Sequence, residues 1–245
     1  MRRMRMSDFS KRIKKERCPY AAAVIVAAGS ARRFGSDKLA AALCGIPVLA
    51  HSLLAFQRSP LIREIVLTVR EDALQESAQL RDRYGISKLS CVVAGGQTRA
   101  ASSYAGIMSV SEKAEIIAIH DGARPLVTDR IIEDAVWNAY RHSAATPAIP
   151  VRDTIKRAEN GVITDTPDRS GLYAVQTPQC FQADLIRGAL SEALKNAPDI
   201  TDDCMAVERI GGRIWLSEGS EENIKITTPL DLELAERIWE RRRQS

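Results

Sequence analysis

No apolar run in the 245-residue chain approaches the roughly 18 residues that a membrane-spanning helix needs, which sets the bilayer aside. The cysteines, at 18, 44, 91, 180 and 204, are odd in number, widely scattered and without a Cys-x-x-Cys pair. Neither a zinc ribbon nor a dithiol redox site is encoded, and a reducing cytoplasm is the expected compartment. A Walker A loop is missing too: Gly29 and Gly35 have five residues between them rather than four, and Lys38 follows Asp37. A dinucleotide fingerprint is excluded by Ala31, where a second glycine belongs, and by Leu49 and Ala50 about twenty residues on, where an acid belongs. Internal repeats and low-complexity tracts are lacking as well.

Also missing is any basic excess outside the first residues. The net charge is +4, but Arg2, Arg3, Arg5, Lys11, Arg12, Lys14, Lys15 and Arg17 against Asp8 and Glu16 give residues 1–20 a charge of +6. The remainder therefore stands at −2, and nucleic acid is not an expected partner. Residues 1–20 read as a basic, disordered extension. A transit peptide is the other reading of such a segment; without an apolar h-region it is not a secretory signal.

What is present is an alternation. Apolar runs of strand length at 21–27, 64–69, 89–93, 115–120, 145–150 and 213–217 are separated by helical patterns at 47–57, 71–84, 99–110, 129–143 and 183–195. This predicts one α/β domain over residues 21–245 with a doubly wound, mostly parallel sheet. Thr228-Pro229-Leu230-Asp231 combines a capping hydroxyl, a proline at the first helical position and an acid, and starts a last helix reaching about Arg241. Between 151 and 176 the alternation breaks. Glu159-Asn160-Gly161, flanked by Thr154-Ile155-Lys156 and Val162-Ile163-Thr164, predicts a hairpin with little apolar surface for the parent sheet, hence a protruding arm that packs on another subunit.

Four clusters carry candidate chemistry. The strand Val24-Ile25-Val26 runs into Ala27-Ala28-Gly29, whose small side chains let backbone N–H groups approach an anion, with Arg33 and Lys38 as nearby cations. Gly95-Gly96-Gln97-Thr98-Arg99 also follows a strand; with Ser102 it is either a base-reading surface or a turn and helix cap. His120-Asp121-Gly122-Ala123-Arg124 sits at a strand's carboxyl end, where Asp121 either holds Mg²⁺ against phosphates or closes an Asx turn, and His120 is structural. Lys225, between Ile224 and Ile226 in an expected short strand, can present its ammonium to the same cleft. Such a set of cations suits phosphoryl or nucleotidyl transfer.

Taken together, these blocks resemble the 2-C-methyl-D-erythritol 4-phosphate cytidylyltransferase family over roughly residues 20–240. The resemblance rests on Ala27-Ala28-Gly29 with Arg32-Arg33, Gly95-Gly96 with Arg99 and Ser102, His120-Asp121 with Ala123-Arg124-Pro125, Asp153-Thr154-Ile155-Lys156, Thr177-Pro178-Gln179, Thr201-Asp202 and Asn223-Ile224-Lys225-Ile226-Thr227. It implies a Rossmann-like domain and a homodimer whose site is completed by the partner's arm. It further implies transfer of CMP from CTP to the 4-phosphate with Mg²⁺ or another divalent cation. By that resemblance Arg33, Lys38 and Lys225 are catalytic, and Ala27, Ala28, Gly29, Gly96, Gln97 and Ser102 hold the nucleotide. Asp121 is the metal-side carboxylate, and Asp121, Arg124, Thr154, Arg169, Thr177 and Thr201 serve the substrates. Two departures stand out: Arg33 and Lys38 are closer than the family leads one to expect, and Gln97 stands where an acid is frequent. Another polyol phosphate, such as ribitol 5-phosphate, is the alternative acceptor, and an inactive nucleotide-binding protein the alternative class.

Overall fold

The run at 21–26 becomes the centre of the sheet, and its residue order shows why. In this computed structural model, which describes residues 17–29, 37–196 and 199–244, Ala21, Ala23 and Ile25 pack into one apolar cluster while Ala22 and Val24 pack into another. Side chains alternate across a strand, so a strand buried on both faces must be apolar throughout. Val24 and Ile25, both fully buried, contribute about 2 kcal/mol each.

Along the chain the strands are β1 (Ala21–Val26), β2 (Ala42–Leu43), β3 (Ile46–Pro47), β4 (Ile62–Val69), β5 (Leu89–Ala94) and β6 (Ile116–Asp121). They continue as β7 (Ala144–Pro150), β8 (Arg157–Glu159), β9 (Val162–Asp165), β10 (Tyr173–Val175), β11 (Gln179–Gln182) and β12 (Trp215–Glu218). The helices are α1 (Val48–Arg58), α2 (Leu74–Ala78), α3 (Leu80–Arg83), α4 (Arg99–Met108), α5 (Asp129–His142), α6 (Ala183–Asn196), α7 (Asp203–Arg209) and α8 (Pro229–Gln244). Residues of α1 and α5 join the first cluster and those of α4, α6 and α7 the second, so helices cover both faces as the alternation predicts. None of the helices among the described residues is long and apolar enough to cross a membrane.

The main sheet runs β10-β7-β11-β6-β1-β4-β5, with β12 on the other edge of β7. Strands β4 and β6 flank β1 in parallel, and β5 extends the parallel set. Antiparallel β11, wedged between β6 and β7, and β10 beside β7 depart from the expected parallel pattern. The apolar content of β11, Cys180 and Phe181 between two glutamines, is too short to read as a strand. The expected helix at 71–84 is broken into a 3₁₀ turn and two short helices. Leu74 and Leu80, both packed on the core, would stand about 120° apart on a straight helix, and the tighter turn at Gln79 brings them to one side.

The arm stands clear of the sheet. Residues 152–166 are exposed, β8 and β9 pair only with each other, and Asn160 and Gly161 both adopt positive φ, 49° and 82°. That two-residue turn fixes Glu159 opposite Val162, so the first strand lies at 157–159 rather than the expected 154–156. The arm's ends are held together: Tyr173 pairs with Pro150, and the Val151 N–H donates to the Leu172 carbonyl at 3.0 Å.

Candidate active site

The chain steps from β1 outward to β4 and β5, then returns through α4 to place β6 on the other side of β1. The strand order therefore reverses between β1 and β6, and ligands bind at such a crevice, beyond the strands' carboxyl ends. A cleft of about 500 Å³ opens there, lined by Ala27, Ala28 and Gly29 after β1, Gly96 and Gln97 after β5, Ser102 on α4, Asp121 ending β6, and Lys38 and Lys225. Nine of the residues expected from sequence thus converge, coming from five separate segments. Gly96 is required by packing: a Cβ there would stand 2.4 Å from that of Ala101. Thr98 caps α4 through the Ala101 N–H, so the helix-cap reading of this block holds alongside its place in the cleft.

At the floor a carboxylate meets three cations. Asp121 lies 2.8 Å from Lys225 Nζ, 3.4 Å from Arg99 Nε and, at ion-pair distance, 3.7 Å from Arg124 Nε. Burial alone would raise its pKa, but Arg99, Lys225 and Arg124 override burial and hold the carboxyl well below the usual range. Arg99 in turn reaches the fully buried Asp203 at 2.7 Å. Burial opposes its charge, yet the two carboxylates raise its pKa above that of an ordinary guanidinium. Arg99, Arg124 and Lys225 thus face two carboxylates, with Lys38 lining the same cleft, an environment suited to a polyanion.

The loop bearing Asp121 is closed by a ring of hydrogen bonds. The Asp121 N–H donates to Thr177 Oγ1 at 3.1 Å, and that hydroxyl donates to His120 Nδ1 at 3.0 Å. His120 Nε2 completes the ring by donating to the Arg124 carbonyl at 3.2 Å. Because a carbonyl only accepts, Nε2 carries a proton, and the low pKa that burial imposes leaves Nδ1 without one at neutral pH. Burial, against the nearby Asp121 charge, pushes the imidazole's pKa down to about 4.

Lys225 is held from the opposite side. The expected strand is absent: residues 223–227 join no ladder, and the Ile226 N–H donates to the Ala123 carbonyl at 2.8 Å. Alternation survives without the ladder, for Ile226 is buried against α8 while Lys225 turns to Asp121. Asn223 Nδ2 donates to the Thr177 carbonyl and to Gln176 Oε1, and its own carbonyl accepts from Arg124 at 2.7 Å. The loops carrying Asp121 and Lys225 are thus fastened through Gln176 and Thr177.

Not every expected residue lines the cleft. Arg33 lies outside the described residues. Thr177 is buried behind Asp121, and Arg124 supports it from the side. Thr154 and Arg169 are exposed on the arm, where Arg169 donates to the Arg152 carbonyl. Thr201 is exposed ahead of α7, with Oγ1 3.7 Å from Met205 Sδ. Conversely, sequence reasoning quoted Arg99 without giving it a role and missed Asp203. A signal existed: Arg99 is the first residue of α4, and a cation there opposes the helix dipole unless something else requires it.

A family model described as 2-C-methyl-D-erythritol 4-phosphate cytidylyltransferase matches residues 21–241. A relative of that name from Caldanaerobacter subterraneus subsp. tengcongensis is 45% identical over 218 residues, covering 87% of this chain and 96% of its own. Another from Clostridium novyi (strain NT) is 43% identical over 222 residues, covering 89% and 96%. A solved 4-diphosphocytidyl-2C-methyl-D-erythritol synthase from Anaerococcus prevotii matches with a TM-score of 0.81 at 27% identity, over 91% of this chain and 100% of the other. Both the sheet and the blocks around its switch point lie within these matches, and the chain belongs to the 2-C-methyl-D-erythritol 4-phosphate cytidylyltransferase family.

Proposed function

We propose that the cleft between β1 and β6 is where the chain transfers CMP from CTP to 2-C-methyl-D-erythritol 4-phosphate, releasing pyrophosphate, in isoprenoid precursor synthesis. The observation that carries the reading is that Lys225 and Asp121, the latter paired with Arg99, share one cleft with Gly96, Gln97 and Ser102. Nucleotidyl transfer asks for charge placed around the reacting phosphate and little covalent chemistry from the protein, and this floor supplies it. An oxygen of the acceptor's phosphate forms the new bond to the α-phosphorus as the bond to the β-phosphate's bridging oxygen breaks. Pyrophosphate leaves with that electron pair.

In this reading Lys225 contacts the α-phosphate, while Arg33 and Lys38 stabilise charge on the β- and γ-phosphates. Ala27, Ala28 and Gly29 cradle the triphosphate, and Gly96, Gln97 and Ser102 receive the cytidine. Asp121 is the residue that would hold Mg²⁺. Its carboxyl is kept ionised, and among the described residues no three His, Cys, Asp or Glu side chains converge into a cage. Such a donor set suits magnesium, which takes one or two carboxylates and fills its remaining positions with phosphate oxygens and water. Bound there, the ion supplies positive charge to the triphosphate oxygens.

Thr154 and Arg169 grip the acceptor phosphate from the arm of a second copy, which makes the working unit a homodimer. Thr177 and Arg124 act behind Asp121, and Thr201 on the acceptor side. The test is pyrophosphate release by the purified protein with Mg²⁺ and each nucleoside triphosphate, against a panel of polyol phosphates. Turnover is expected with CTP and 2-C-methyl-D-erythritol 4-phosphate. Preference for ribitol 5-phosphate would overturn the acceptor assignment, and no turnover with any pair would sink the reading.

A further inference from the structure

One guanidinium near the end of the chain touches both loops that carry the floor of the cleft. Arg242, in the last turn of α8, donates from Nε to Glu222 Oε2 at 2.8 Å and from a terminal nitrogen to the Leu126 carbonyl at 2.8 Å. Glu222 lies three residues before Lys225, and Leu126 five residues after Asp121. Arg241 pairs with the other Glu222 oxygen, so that carboxylate is held by two adjacent arginines. Cations at a helix's C-terminus commonly do no more than offset its dipole. These two instead leave their own helix, and one of them spans two segments about a hundred residues apart, the separation from Arg242 to Leu126 being 116 and to Glu222 only 20.

The packing beneath them explains why a clamp is needed. The apolar contact between α8 and these loops is small: Leu126 and Ile226 meet Ala235 and Ile238, with Leu43 and Val48, in a cluster separate from the two large cores. Ile226 is the neighbour of Lys225, so any slip of this cluster moves the ammonium relative to Asp121. Two main-chain and side-chain ties act nearer the cleft, through Ala123 and Asn223. On the side away from the cleft, the Arg242 bridge spans the same two loops.

We infer that Arg242, with Arg241, is a positioning residue for the transfer step. It fixes the spacing between Lys225 and Asp121 from outside the cleft, beyond residue 241 where the family match ends. This rests on the reading of the cleft as the transfer site. A guanidinium is suited to the task because its planar fork offers donors in two directions, whereas an ammonium cannot keep both bonds in the same geometry.

The experiment uses the full chain in two arms. In the first, Arg242→Met is expected to lower kcat about tenfold, as a misplaced catalytic group does, with little change in the KM for CTP. Arg242→Lys should recover part of that loss. In a Lys225→Ala background, Arg242→Met should have no further effect on kcat, because the group it positions is gone. An unchanged kcat in the single variant, or the same loss in both backgrounds, overturns the inference. Glu222→Gln, expected to follow the same pattern, replaces Arg242→Met if that variant fails to fold.

The second arm needs no activity. Hydrogen exchange over residues 223–227, where the Ile226 amide bonds to Ala123, should accelerate at least about tenfold in Arg242→Met while β1 is unchanged. Equal exchange in the two proteins would overturn the inference whatever the kinetics show. A wild-type protein without transfer activity but with accelerated exchange in the variant would retain the clamp and discard the transfer reading.

Discussion

From Ser220 to Asn223 each residue is tied to another segment of the chain, to Gln176, Arg152, the two α8 arginines, and Gln176 with Thr177. From Asp153 to Thr166, by contrast, every residue is exposed and the side-chain bonds close on the arm itself, Lys156 to Thr166 and Arg157 to Asp165. The first region is built to hold groups still within one chain. The second gains fixed geometry only from whatever it is placed against, and its exposed Ile155, Val162 and Ile163 are the apolar means for that. In the proposed reaction the nucleotide's site is therefore preorganised in each chain, and the acceptor's grip waits on assembly.

The sharpest way to break the preorganised side of the comparison is to remove the buried charge pair behind the cleft floor. Arg99→Met leaves the fully buried Asp203 without its cation and should cost about 4 kcal/mol, read by urea unfolding. A loss below about 1 kcal/mol would mean the pair braces nothing.

Acid tests the same region more gently. His120 titrates at about 4 when folded, against 6.5 for an ordinary imidazole. Between those values the unfolded chain takes up a proton that the folded one refuses, so this stability is whole above pH 6.5 and is lost as pH falls to 4. The loss is about 3 kcal/mol, and His120→Asn should flatten that part of the pH profile of unfolding. Identical slopes in the two proteins would refute the neutral ring. Asp121, held below the usual carboxylate range, adds a loss of the same sign under pH 3.8.

Lys225→Ala sharpens the comparison by leaving the arm untouched. It should lower kcat by about a hundredfold, as loss of one preorganised charge does, and a near-wild-type rate would take Lys225 out of the mechanism. Smallest is the effect on the arm. Arg169→Ala should raise the KM for the acceptor about tenfold, the scale of one charge-assisted contact, with CTP binding and unfolding unaffected. An effect confined to CTP would contradict the assignment of the arm to the acceptor.

These contrasts also explain what could be read in advance. Strands β1, β4, β6 and β7 were legible because burial on both faces demands apolar runs, and the arm because Asn160-Gly161 is a turn with a mechanism. The cleft's small residues were legible from their place after strands. Asp203 was not, because its partner Arg99 is 104 residues away and no local pattern announces a bond of that span. Thr177 was expected to touch substrate, and the ring through His120 gives it a second role that depends wholly on tertiary neighbours. Lys225 was placed on the right side for a reason that proved incomplete, since alternation outlasted the strand it was inferred from.

The paired neck at Pro150 and Tyr173 has a consequence for descent. Because the chain departs from and rejoins the sheet within one ladder pair, residues 151–172 form an appendix whose length and sequence can drift without shifting a strand of the main sheet. In the proposed reaction, selection can thus retune which acceptor the arm holds while the nucleotide machinery is inherited intact.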